Sequence, residues 1–169
     1  TTPFGVPPFD LIRAEHFAPA FKAAAAAHRS DIDAIATNAE APTFANTIEA
    51  LERAGALLTR VGAVFFNLVA SDASDALQAV ERDWAPKLAK HGMQIRLDQR
   101  VFRRVADLHA RRDQLALAPD QRRLLERTYL FLVRSGAALD EAARARLIEI
   151  GTLLATLHTA FGQNVLADE

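Results

Sequence analysis

Phe44, Ile48, Leu51, Gly55, Leu58, Gly62, Phe65 and Val69 recur at alternating steps of four and three. An apolar seam with a seven-residue repeat over this distance predicts a helix packed lengthwise against a neighbour, and it excludes strand alternation. Thr43 stands where an N-cap is needed, because its hydroxyl can accept from an otherwise orphan backbone amide. Gly55 and Gly62 lie one heptad apart on the seam and would let the neighbour approach closely, at a helix-propensity cost of about 1 kcal/mol each.

The rest of the chain reads the same way. Alanine supplies 35 of 169 residues, aromatics supply 12, and runs of β-branched residues are missing, so intrinsic propensity is helical throughout. From Ala14 to Thr37 the stripe Phe17, Phe21, Ala25, His28, Ile32, Ile35 predicts a first helix, with Pro19 in its first turn. Residues 38–42 are a connection. Residues 71–74 break the pattern, Ser74 caps a helix through Leu77, Val80 and Trp84, Pro86 interrupts it, and Gly92 closes the next turn. A helix from about Asp98 to Arg112 turns Val101, Val105 and Leu108 inward. Pro119 starts another through Leu124, Leu125, Tyr129 and Leu132, and Gly136 supplies the left-handed residue that ends it. Asp140 caps the last helix. Its seam is Leu147, Ile150, Leu154, Leu157 and Phe161, with Asn164 next in register as a buried polar device that fixes alignment.

The expected architecture is all-α, a single domain over residues 1–169 with about six helices in antiparallel, bundle-like hairpins. Thr1 to Ile12, with Pro3, Pro7, Pro8 and Gly5 among Phe4, Val6 and Phe9, forms an extended N-terminal arm on its surface. The opening Thr1-Thr2 lacks an initiator methionine and the end at Glu169 lacks a capping glycine. Together they predict a piece of something longer.

Charge and chemistry narrow the function classes. Lys plus Arg number 20 against 21 Asp plus Glu, which offers no global field for nucleic acid or an anionic membrane. Cysteine is absent, so disulfides and thiolate sites are excluded and a cytoplasmic location is expected. The five histidines include no pair three or four residues apart and no His-Glu step, so no helical zinc-peptidase motif is present. No glutamate has a histidine three residues later, no Gly-x-Ser-x-Gly elbow occurs, and no phosphate-binding glycine loop occurs. These patterns place no catalytic residue, metal ligand or cofactor in the chain.

Two features remain. His28, on the first apolar stripe, could be a switch or a ligand, but the ordinary reading of a lone histidine there is a satisfied core residue. Residues 95–135 hold 10 Arg against 5 Asp plus Glu, and Arg100, Arg104 and Arg111 share one helical side. They are the substrate-channel candidates, a basic strip for carboxylate-ended ligands; the simpler alternative is a solvated face on which Asp107 pairs with them.

A resemblance adds to this reading. Phe4-Gly5-Val6-Pro7-Pro8-Phe9, then Glu15-His16-Phe17-x-Pro19-Ala20-Phe21, resembles the N-terminus of bacterial peptidyl-dipeptidases of the thimet oligopeptidase family. So do Pro42-Thr43-Phe44-x-Asn46-Thr47-Ile48, Val64-Phe65-Phe66-Asn67-Leu68, Arg134-Ser135-Gly136-Ala137-x-Leu139 and Phe161-x-Gln163-Asn164-Val165. The likeness spans essentially all 169 residues.

It implies a helical N-terminal region that forms one wall of a channel restricting substrates to short peptides. It also implies a hydrolase whose zinc, held by a His-Glu-x-x-His helix and a further glutamate, belongs to a downstream catalytic domain. No residue here matches those ligands. The partners implied are that catalytic domain and short peptide substrates, with self-association of the isolated piece through its apolar seams. The alternative is a stand-alone helical adaptor that binds a partner helix along one seam.

Overall fold

In the computed structural model, which describes residues 5–71 and 74–168, long helices carry nearly all the chain. They are α1 (Phe17–Ala36), α2 (Ala50–Arg53), α3 (Ala56–Ser71), α4 (Asp75–Arg96), α5 (Gln99–Ala110), α6 (Pro119–Arg134) and α7 (Glu141–Asp168). Six of these are of twelve residues or more, and no strand occurs among the described residues. The all-α expectation holds.

The first helix starts as its sequence requires. A 3₁₀ turn (Ala14–His16) leads into α1, and Pro19 sits in its first turn, where a missing N–H costs nothing. Phe17 and Phe21 meet Phe65 of α3 at centroid distances of 4.9 and 5.2 Å, edge to face, and Phe21 stacks on Trp84 of α4 at 5.4 Å. With Leu77 they form one apolar core. A second core gathers Ile32, Ile48, Val101, Val105, Leu108, Leu125 and Leu132, which buries the predicted inward face of α5 completely. The contacts Phe21–Trp84 and His28–His91 keep the same offset along both helices, so α1 and α4 run parallel. The contacts of Gly151 with Met93 and of Gln163 with Gln78 run in opposite order, so α7 lies antiparallel on α4.

The heptad segment departs from expectation. It begins at the Thr43 cap, whose hydroxyl accepts from Asn46 N at 3.1 Å while the Asn46 side chain accepts from Thr43 N at 2.8 Å. The first turns are π-helical (Phe44–Glu49) and run into the short α2. The helix then breaks, because Ala54 is extended and Gly55 has φ +72°. The seam is therefore two helices that serve two cores, Ile48 in one and Phe65 in the other. By length and composition Phe44–Ser71 passes as a membrane-crossing stretch, yet this break divides it.

Four further expectations are corrected. Among the described residues no neighbouring helix comes within 4 Å of a Cβ added at Gly62, which would meet only Phe66 of the same helix, at 4.0 Å. Pro86 lies inside a continuous α4, and Gly92 is another interior residue of that helix; Trp84 and Leu88, on either side of Pro86, pack into the core around Phe65 and hold the helix across the missing hydrogen bond. Asn164 is exposed, and its neighbour Gln163 makes the contacts instead, donating to the Gln78 carbonyl and accepting from Arg82.

Of the arm, Val6, Phe9 and Leu11 are exposed and Ile12 packs against the core. Phe4 and residues 72–73 of the expected break lie outside the described residues. The remaining signals are where the sequence places them. Asp98 caps α5, Pro119 opens α6, and Asp140 accepts from Ala143 N at 2.8 Å to start α7. Gly136 has φ +98° after α6, with Ala137 N donating to the Leu132 carbonyl.

Candidate functional site

Of the three arginines read from the sequence, Arg100 and Arg104 lie on α5 and Arg111 at its C-terminal cap, and each is engaged within the fold. Arg104 is buried, at 8% exposure. Its guanidinium donates to the carbonyls of Asn38 and Glu40 at 3.0 and 3.1 Å and to Asn46 Oδ1 at 3.0 Å. That oxygen also accepts from Thr43 N and from the hydroxyl of buried Thr47. Arg104 thus ties the connection after α1 to the cap of the next helix. Arg111 donates to the Pro42 carbonyl at 2.6 Å and pairs with Asp107 at 2.8 Å, which is the i to i+4 pairing that the sequence offers as the simpler alternative. Arg100 bridges Asp98 and Asp33, at 2.6 Å each. Burial alone would raise the Asp98 carboxyl, but hydrogen bonds from the Arg100 side chain and from the amides of Arg100 and Val101 outweigh it and hold the group below its ordinary range.

The histidines are dispersed except for one pair. His16 accepts from Arg13 N at 3.1 Å, and His109 stacks on Tyr129 at 3.9 Å between centroids. His28 and His91, half-buried, face each other between α1 and α4. Sequence reasoning takes His28 as a lone core residue; its partner is 63 positions away and leaves no local signal. Among the described residues no group of three His, Asp or Glu side chains is placed to hold a metal ion. The zinc implied by the resemblance therefore finds no fitting ligand set in them.

What these residues offer is surface. The last helix meets α4 at Gly151 and Gln163, and Thr152, Ala155 and Thr159, on the same small and polar face, are half-buried. Leu147, at the start of the predicted seam, is half-buried against Gly136, and the rest of the seam faces away. Leu154, Leu157 and Phe161 are 48, 55 and 71% exposed, and Ile150, Leu153, Val165 and Leu166 are exposed with them. A second feature, not anticipated from the sequence, is a cavity bounded by α1, α2, α4 and α6, where Arg96, Arg127 and Arg134 join an apolar lining.

No family model matches the chain. Among curated proteins it is 40% identical over 167 residues to the dipeptidyl carboxypeptidase of Escherichia coli, an alignment that takes in 99% of this chain and 24% of that protein. The dipeptidyl carboxypeptidase of Salmonella typhimurium is 38% identical over 98% of this chain and 24% of its own length. An organellar oligopeptidase A of Arabidopsis thaliana is 26% identical, over 96% of this chain and 20% of its own. The chain spans about a quarter of the length of the curated relatives it matches. With its helical fold and with sequence likeness along nearly every residue, the chain belongs to the dipeptidyl carboxypeptidase and oligopeptidase A family, as an N-terminal part of such a peptidase.

Proposed function

We propose that this chain is the helical front domain of a zinc peptidase that releases dipeptides from the C-termini of short peptides, and that its role is to narrow access to a catalytic centre carried by the rest of the parent protein. The observation that carries the reading is the difference in likeness: 40% identity to a dipeptidyl carboxypeptidase against 24–26% to oligopeptidases A over the same residues. The outward apolar face of α7 supports it, because a helix that presents leucines and a phenylalanine along one edge is suited to being covered by further polypeptide. Zinc, in this reading, is held by residues of the parent beyond this chain. The cytoplasm is the proposed location. Peptide steering by the basic strip reduces to Arg100 and Arg111, since Arg104 has no free face.

The test is to produce the parent protein with and without this region and to follow products from blocked peptides of 5 to about 30 residues by mass spectrometry. Dipeptide release confined to short peptides, with the length limit lost when the region is removed, is the expected result. An unchanged length limit overturns the gating role. A parent gene without a His-Glu-x-x-His helix overturns the peptidase and leaves the adaptor.

A further inference from the structure

The cavity between α1, α2, α4 and α6 has a volume of about 580 Å³, within the usual range for small-molecule sites. Ile32, Leu51, Ile95 and Leu132 supply apolar wall, and Leu130 and Phe131 add apolar surface that is still exposed. Three cations stand on the lining: Arg96 near the end of α4, and Arg127 and Arg134, two turns apart on one side of α6. None of the three has a carboxylate within 4.0 Å among the described residues, whereas Arg100 on α5, Arg111 at its C-terminal cap and Arg122 on α6 each hold one. Among the described residues Glu52 is the single acidic one on the lining, and it comes from α2. It disfavours an anion at the α2 end and directs it toward α4 and α6. Guanidinium groups present paired N–H donors that match a carboxylate, and an apolar wall beside them lowers the local dielectric.

We propose that this cavity binds a carboxylate carried on an apolar body, with the body against Ile32, Leu51 and Ile95 and the carboxylate on Arg127 and Arg134, assisted by Arg96. The assignment rests on the cavity alone and is independent of the peptidase reading. Two sources share the chemistry, the free C-terminus of a peptide that ends in apolar residues and an aliphatic acid.

The experiment titrates the 169-residue chain with acetyl-Leu-Phe, with the C-terminal amide of the same dipeptide, and with decanoate, and follows backbone amide resonances around Ile32, Ile95 and Phe131. The free acid is expected to shift these signals and the amide to bind at least about tenfold more weakly, the least that a charge-assisted contact supplies. Decanoate moving the same signals in place of the dipeptide supports the site and names the aliphatic source. The exposed pair Arg127→Gln, Arg134→Gln should weaken binding by a similar factor while leaving the thermal midpoint in place. Equal binding of acid and amide overturns the proposal, as does the failure of every probe to shift the cavity signals. The acid and amide comparison needs no variant.

Discussion

The Nε2 atom of His91 lies 3.2 Å from Nδ1 of His28, so two half-buried rings join the parallel helices α1 and α4, and one must donate while the other accepts. That arrangement requires at least one neutral ring. Burial lowers the affinity of both for a proton; on His28 Asp31 works against it and Arg29 with it, while on His91 the His28 ring and Arg29 add to it.

Acid should loosen this joint. The folded-state values lie below the ordinary 6.5, so the unfolded chain takes up protons first, and stability present above about pH 6.5 is lost as pH falls toward the lower folded values. His109, also lowered by burial and by Arg112, contributes in the same window. The Asp98 and Asp113 carboxylates, held below 3.8, act only further down. Thermal midpoints measured from pH 8 to 5 should fall, and the double variant His28→Gln, His91→Gln should fall less steeply. An equal slope in the two proteins refutes the coupling.

Gly55→Ala and Gly62→Ala should have opposite signs. A Cβ on Gly55 would lie 2.8 Å from the His28 ring at a φ of +72°, which predicts a loss of about 2 kcal/mol or more. Gly62 is an open helix-interior site, where alanine should add about 0.5–1 kcal/mol. Urea titration distinguishes this from a continuous seam, on which both changes would destabilise.

Arg104→Met removes three hydrogen bonds from the buried tie between residues 38 and 46 and should cost about 3 kcal/mol. Arg100→Gln, which alters partly exposed ion pairs, should cost below about 1 kcal/mol. Comparable losses in equilibrium unfolding would show that Arg104 is not the anchor.

Leu154→Glu, Leu157→Glu is expected to leave stability within about 0.5 kcal/mol, since both side chains are about half exposed. The unsubstituted chain should self-associate as concentration rises and the variant should not, as read by sedimentation. Unfolding of the variant would place the stripe inside the core.

Legibility tracked the range of the interaction. Inward Val101, Val105 and Leu108, the Pro119 start, the Gly136 stop and the Asp140 cap were readable because helix period and end chemistry act over a few residues. Gly55 misled because a glycine on a seam satisfies the period equally well as a close contact or as a break, and periodicity assigns sides without guaranteeing continuity. Pro86 misled because core packing on both sides of it outweighs one lost hydrogen bond. The apolar stripe of α7 is legible as a stripe, but that Ile150, Leu154, Leu157 and Phe161 face outward is not, because its orientation depends on the small residues behind it.

At the candidate site, the shared side of Arg100, Arg104 and Arg111 was visible, whereas the backbone carbonyls that occupy Arg104 lie more than sixty residues away. The cavity needs α1, α2, α4 and α6 assembled at once, so no window of sequence contains it.

The contacts that seat α7 on α4 give the last helix a lever's geometry. With 28 residues it is about 42 Å long, and α4 is its main support within the chain. A tilt of about 5° would carry one end through roughly 4 Å relative to the other, by the same rise per residue. Leu157 and Phe161 lie between the Gly151 and Gln163 contacts, so whatever rests on them would be carried with α4, and the larger excursion belongs to the ends of the helix.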